Sequence, residues 1–262
     1  MSKKRVLITG ASGLIGGLVR TRLADRYEFS ALNRRPVEGM PCLQADIADF
    51  EAIRPAFQGQ DAVVHLSAYT GTAEDPAAGD WEQNLHHSII GCRNVYEAAA
   101  QAGVKRFVFG SSGCTILGHE REYPYHHLVA GEYDQAPAQW DPVTREWPVR
   151  PDGIYGCCKA FGEVLGRYYA DEFGMSVLCI RLGAVLDTDR PKLRRQYPGY
   201  LSHRDVVEMV RCCLDAPDDL VYEIVDAVSN NRWRWRDIEH ARKVIGYVPQ
   251  DSADQYELEE TA

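Results

Sequence analysis

Along the first half of the chain the spacing of apolar residues changes again and again, and each change marks an element. "RVLIT" at 5–9 is a short β-branched run that ends on glycine, and the "LIGGLVRTRLAD" after it sets Leu14, Ile15, Leu18, Val19 and Leu23 at helical intervals. The pattern predicts a strand, a tight turn and a helix. Further β-like runs stand at 29–33, 42–45 and 61–68, the last, "DAVVHLSA", apolar without alternation, as in a strand covered on both faces. "FEAIRPAF" predicts a short helix, 81–102 a long one, and "RFVFGSS" a strand; after a loop-rich stretch come a helix over 154–173 and the strand "SVLCIRLG".

Strands alternating with helices predict an α/β fold, a Rossmann-type doubly wound parallel sheet. Residues 1–181 are expected to form the dinucleotide-binding domain. Beyond 182 the alternation fades. "LSHRDVVEMVRCCLDA" opens with a Ser202/Asp205 capping pattern and carries Val206, Val207 and Val210 on one face, so 182–262 is expected as a small substrate-side subdomain with an acidic tail that frays from Asp251. Residues 118–153 hold Pro124, Pro137, Pro142, Pro148 and Pro151, which predicts an ordered excursion over the site and not a linker.

Composition narrows the partners. Against 29 basic residues stand 38 acidic ones, a net charge of −9 that opposes binding to nucleic acid. No apolar run reaches the roughly 18 residues of a membrane span, and the N-terminus lacks a secretory pattern, so the expected place is the cytoplasm. The 8 cysteines contain no CxxC and read as reduced, packed thiols, and the histidine doublets 86/87 and 126/127 lack metal-site spacing, so no metal is expected. "NRWRWRD" at 231–237 mixes arginine with tryptophan, but in so acidic a chain it reads as packing or a subunit interface, with a homo-oligomer as the expected assembly.

Chemistry enters at the first turn. In "TGASGLIGG", Gly10, Gly13 and Gly16 follow GxxGxxG between strand and helix, where glycines permit a sharp turn, close approach of a pyrophosphate and close helix packing. The helix N-terminus adds N–H donors and partial positive charge. The second strand ends in Asn33, Arg34 and Arg35 in place of the carboxylate that holds adenine-ribose hydroxyls in NAD-binding versions of this fold. A carboxylate about 5 Å from a 2′-phosphate would cost roughly 3 kcal/mol at an effective dielectric of about 20, and two arginines reverse the sign. NADP is the expected cofactor, with NAD as the alternative. Asp46 and Ile47 are expected beside the adenine.

"YGCCK" places Tyr155 and Lys159 at i and i+4 of a helix, on one face. A tyrosine that acts as a base near neutrality needs its pKa lowered by about 3 units from about 10, and an adjacent ammonium contributes to that. The two cysteines between them point elsewhere.

The glycine turn, the "SS" that closes the fifth strand and "YGCCK" together resemble the extended short-chain dehydrogenase/reductase superfamily over nearly the whole length. More narrowly, "RPDGIYGCCKAFGEVLGRYYADEFGMSVLCIRLG", "YLSHRDVVEMV" and "YEIVDAVSNN…ARKVIGYVPQDSAD" look like uronate dehydrogenases and short-chain-type glucose-6-phosphate dehydrogenases. The resemblance implies oxidation of C1 of a cyclic, anionic sugar such as a hexuronate or hexose phosphate to the aldonolactone. It implies Ser112, Tyr155 and Lys159 as the catalytic group. It implies Ser12, Leu14, Ile15, Leu66, Ser67 and Ala68 as cofactor contacts beside those already named. Thr70, Ser112, Gly113, Cys114 and Arg181 fall at substrate-contact positions, Arg181 as an anion clamp. Where those relatives have Asn-His after the serine pair, this chain has Gly113 and Cys114, and Ser88 replaces a frequent asparagine. Lys192, Arg194 and Arg195 stand near the expected pocket mouth. The rival readings are a nucleotide-sugar epimerase or dehydratase that retains its cofactor, and a dinucleotide-sensing protein without catalysis.

Overall fold

The structure is a computed structural model and describes residues 3–69 and 80–257. The apolar runs form strands β1 (Lys4–Thr9), β2 (Tyr27–Asn33), β3 (Cys42–Gln44), β4 (Ala62–His65), β5 (Arg106–Ser112), β6 (Ser176–Leu182) and β7 (Tyr222–Ala227). They make one sheet in the order β3-β2-β1-β4-β5-β6-β7, every neighbouring pair parallel. Between β1 and β4 the chain reverses its direction of travel across the sheet, and a crevice opens there at the carboxyl ends of the strands.

Helices cover both faces. On one, α1 (Leu14–Arg22) packs with the late helix His203–Leu214 on Val6, Ile8, Val108 and Leu178. On the other face lies a long helix, α3, which follows the short α2 (Phe50–Ile53). It runs through Trp81–Gln83, a π-helical stretch Asn84–Ile90 and Gly91–Gln101. After α4 (Tyr125–Ala130), the helix α5 (Ile154–Phe173) joins α3 over Leu7, Val63, Phe107 and Val177. Strands covered on both faces need no alternation, which is why "AVVH" and "SVLCIRL" read as continuous apolar runs. No helix among the described residues is long and apolar enough to cross a membrane.

Two expectations change. The run at 61–68 is strand only to His65, and Leu66, Ser67 and Ala68 leave the sheet to line the crevice. After 182, helix α6 (His203–Leu214), capped by Ser202 Oγ on Asp205 N, shares the core of α1, and β7 extends the sheet beside β6. The apolar stripe of α6 could not be satisfied by the short remainder of the chain alone, so it packs on the sheet. Nor is Asp251 frayed: its carboxylate accepts from Ser202 and Arg204, and its N–H donates to Asp205.

The excursion 113–153 is ordered as expected. Ile116, Tyr125, Leu128 and Val143 close over Trp235, Tyr133 stacks on Trp233, and the backbone of Val143 pairs with Trp235 and Asp237. The tryptophans of "NRWRWRD" thus form the core beneath this flap. None of the 8 cysteines is paired with another, and 5 of them are buried.

Candidate active site

A crevice of about 950 Å³ runs from the glycine turn, along the ends of β2 and β3, to Tyr155 and Lys159. Every cofactor position expected from sequence that the structure describes lines it: Gly10, Ser12, Gly13, Leu14, Ile15, Gly16, Asn33, Arg34, Arg35, Asp46, Ile47, Leu66, Ser67, Ala68, Tyr155 and Lys159. Gly10 has a φ of +75°, and a Cβ there would stand 3.0 Å from Ser67 N, so only glycine fits the turn. Gly13 caps α1 without a side chain, leaving the first N–H groups of the helix open to the crevice. A dinucleotide fits this cradle in length, in the bare backbone at its turn and in the chemistry at both ends.

At the adenine end, Asn33 Nδ2 donates to Arg35 O at 2.8 Å and to Ser12 Oγ at 3.2 Å, tying the second strand to the glycine turn. The side chains of Arg34 and Arg35 are exposed on the crevice and have no hydrogen bond or ion pair among the described residues. Asp46 holds its own turn by accepting from Ala48 N at 2.9 Å. Asp46, His86 and His87 bring one oxygen and two nitrogens within 4.8 Å of one another at this rim. His87 lines the crevice and was not anticipated, because a helical histidine two turns before a small-residue stretch carries no local signal.

At the other end α5 begins. A Cβ on Gly156 would stand 2.3 Å from Cys114 O, so the first turn of α5 rests directly on the turn that follows β5 and brings Tyr155 to Ser112. Ser112 caps that turn: its Oγ accepts from Cys114 N at 3.2 Å, which leaves the hydroxyl hydrogen for another acceptor. Burial pushes the Tyr155 phenol above its ordinary value, and a hydrogen bond from the Ser112 side pulls the other way. Lys159 Nζ donates to Gly110 O at 2.6 Å and lies 5.6 Å from the centroid of the Tyr155 ring. Burial pushes the ammonium down to about 8. The chain's own residues therefore do not lower the phenol as the i, i+4 spacing suggested: the ammonium is turned onto a carbonyl and partly spent there.

Gly113 and Cys114, expected at substrate-contact positions, follow Ser112 in its turn, where the Cys114 N–H donates to Ser112 Oγ. Thr70 lies outside the described residues. Arg181 is a correction. Its side chain is 1% exposed and makes two bonds of 2.9 Å to Glu163, which also accepts from Ser111 Oγ at 2.7 Å. β6 turns this position into the packed layer beneath α5, so the guanidinium braces the sheet against the catalytic helix and is not presented to substrate. Ser88 Oγ accepts from Tyr69 N at 3.1 Å and braces the loop after β4. Sequence reading missed Arg236, whose Nη1 stands 2.5 Å from where a Cβ of Gly113 would be, and Glu120, which meets Arg195. Both come from segments with no regular spacing to the motif.

Comparison with known proteins agrees with this geometry. The family model "NAD dependent epimerase/dehydratase family" matches residues 6–223. The chain is 33% identical to an NAD-dependent glucose-6-phosphate dehydrogenase of Haloferax volcanii, covering 97% of this chain and 96% of that protein. It is 33% identical to an L-arabinose 1-dehydrogenase (NAD(P)(+)) of the same organism, covering 95% and 97%. Among solved structures, a tyrosine-to-alanine mutant of uronate dehydrogenase from Agrobacterium tumefaciens complexed with NAD superposes with a TM-score of 0.80 at 33% identity, covering 97% of this chain and 87% of that one. With the parallel sheet, the glycine cradle and the Ser112, Tyr155 and Lys159 group in place, the chain belongs to the NAD-dependent epimerase/dehydratase family of the extended short-chain dehydrogenases.

Proposed function

We infer that this protein is an NAD(P)-dependent oxidoreductase that removes hydride from C1 of a cyclic sugar, a hexose or sugar acid, and releases the aldonolactone. The observation that carries the reading is that Tyr155 and Lys159 line one end of a dinucleotide-sized crevice, with Ser112 within hydrogen-bond reach of the Tyr155 phenol. Relatives of similar length named as a glucose-6-phosphate dehydrogenase and an L-arabinose 1-dehydrogenase support it.

The roles follow from the contacts. Ser112, fixed by Cys114 N, donates to the reacting oxygen and orients it. Tyr155 takes the proton of the C1 hydroxyl. Lys159, anchored on Gly110 O, holds the nicotinamide ribose and keeps positive charge near the phenol. A bound oxidised nicotinamide supplies the hydride acceptor and a second positive charge. That charge would oppose the effect of burial, which raises the phenol above its ordinary value. NADP is the preferred form on this reading, supported by the two arginines exposed at the adenine-ribose end and the absence of a carboxylate at position 33.

The test is a panel of free sugars, uronates and sugar phosphates with each dinucleotide, followed by absorbance of reduced nicotinamide. Net formation with at least one sugar is expected. Conversion of a nucleotide sugar with no net reduced nicotinamide would replace this reading with an epimerase, and a tight dinucleotide complex with no conversion of any sugar would replace it with a sensor.

A further inference from the structure

The charge of the sugar can be read from the side chains around Ser112 and Tyr155. Glu120 lies in the turn Leu117–Arg121 just past Cys114, and Asp152 lies two residues ahead of α5. Backbone bonds from Arg150 N to Thr115 O and from Gly118 N to Arg150 O zip these two segments together, and Pro151 abuts Gly156. Between the two carboxylates sits Arg195, donating from Nε to Glu120 Oε2 at 2.7 Å and from Nη2 to Asp152 Oδ2 at 3.2 Å. This group lies beside the reacting residues: Pro151, next to Asp152, stands against Gly156, next to Tyr155, and Arg236 stands against Gly113, next to Ser112.

Arg181 and Arg236 are matched as well. Arg236 Nε donates to Asp226 Oδ1 at 2.7 Å with both side chains buried, and its Nη2 bonds Arg181 O. Its Nη1 takes the space of a side chain at 113, which explains why glycine stands there. Arg181 is committed to Glu163. Lys192, from the basic run, lies 3.6 Å from Asp187. Three arginines, Arg181, Arg195 and Arg236, thus face four carboxylates, Glu120, Asp152, Glu163 and Asp226. Glu120 is 9% exposed in its side chain, so releasing Arg195 to an incoming anion would strand a buried carboxylate. With the Lys159 ammonium, four cations stand against these four carboxylates, and the ion pairs leave none of the three guanidinium groups free for an anion. Sugar hydroxyls, which both donate and accept, match the carboxylate oxygens without breaking any pair.

We propose that the substrate is an uncharged aldose, and that Glu120 and Asp152 set this specificity by holding Arg195 away from a carboxylate or phosphate. The proposal rests on the C1-oxidation reading for the location of the sugar, and its test separates the two. Binding of D-glucose, D-galactose, L-arabinose, D-glucuronate, D-galacturonate and glucose 6-phosphate to the Tyr155→Phe protein, saturated with oxidised dinucleotide, is measured by calorimetry. At least one neutral aldose is expected to bind tenfold or more tightly than the acids. In the Glu120→Gln/Asp152→Asn protein that ratio should fall at least tenfold as Arg195 is released. The fold of the doubly substituted protein is checked by thermal unfolding. Tightest binding of a uronate or phosphate, binding of no sugar, or a ratio unmoved by the double substitution overturns the proposal. If a neutral aldose binds as expected while the unsubstituted protein forms no reduced nicotinamide with it, C1 oxidation fails and the charge assignment stands.

Discussion

The two ends of the crevice are built by different means. At the adenine end the walls are backbone and short contiguous segments: the turn Gly10–Gly16, the strand end at Asn33–Arg35, and the Asp46–Ile47 pair. At the sugar end Tyr155, Lys159, Leu182 and Val185 line the crevice, and the charged side chains near Ser112 and Tyr155, from positions 120, 152, 195 and 236, are locked in ion pairs. A dinucleotide's phosphates are read by N–H groups that any sequence with the right turn supplies, whereas a sugar is read by particular side chains whose charge depends on their neighbours. One end is therefore general to the fold and the other specific to the chain.

The strongest test of this contrast is at Tyr155, where the two ends meet. Tyr155→Phe is expected to lower kcat by about 10²–10⁴-fold, the range for loss of a general base, while dinucleotide affinity stays within a few-fold. A comparable loss of dinucleotide binding would show that Tyr155 belongs to the cofactor end alone. Next in size, Glu163→Ala should cost about 3–5 kcal/mol of stability by leaving the Arg181 guanidinium buried without its partner, read from denaturant unfolding. If stability holds and only the sugar KM moves, Arg181 is a substrate residue after all.

At the adenine end, replacing Arg34 and Arg35 together by alanine is expected to weaken NADP about 10–100-fold and NAD little, as loss of charge-assisted contacts to one phosphate would. Equal loss for both dinucleotides would remove the argument for NADP. The smallest effect concerns His65, beneath the crevice, hydrogen-bonded to Thr9 Oγ1 at 2.6 Å and held by burial down to about 3 from its ordinary value near 6.5. Between those values the unfolded chain binds the proton that the folded one refuses, so stability falls as pH drops through this window, by up to ~1.4 kcal/mol per pH unit. His65→Gln should flatten that slope; an unchanged acid profile would show that His65 takes up its proton without unfolding.

Legibility followed the same division. The glycine turn and "YGCCK" could be placed from spacing alone because turn and helix fix the geometry of residues within four positions of each other. Arg181 could not, because whether a strand residue faces a cleft or a packed layer depends on which helix covers it, here α5 with Glu163. β7 was hidden for a related reason: "YEIVDA" is short and holds Glu223 and Asp226, whose partners, Arg145 and Arg236, lie 78 and 10 residues away. Nor does spacing reveal that Ser112 is oriented by the N–H of Cys114, since that bond exists only in the turn the structure adopts.

By itself the sequence determined the parallel sheet, the dinucleotide cradle and the helix that carries Tyr155 and Lys159, because each depends on local periodicity and on glycines whose backbone freedom no other residue shares. Tertiary structure alone decided where the charges went. It turned Lys159 onto Gly110, buried Arg181 against Glu163, set Arg236 in the place of a side chain at 113 and closed Glu120 and Asp152 around Arg195. The energy of a charge is set by what surrounds it in space, and those surroundings come from segments far apart along the chain.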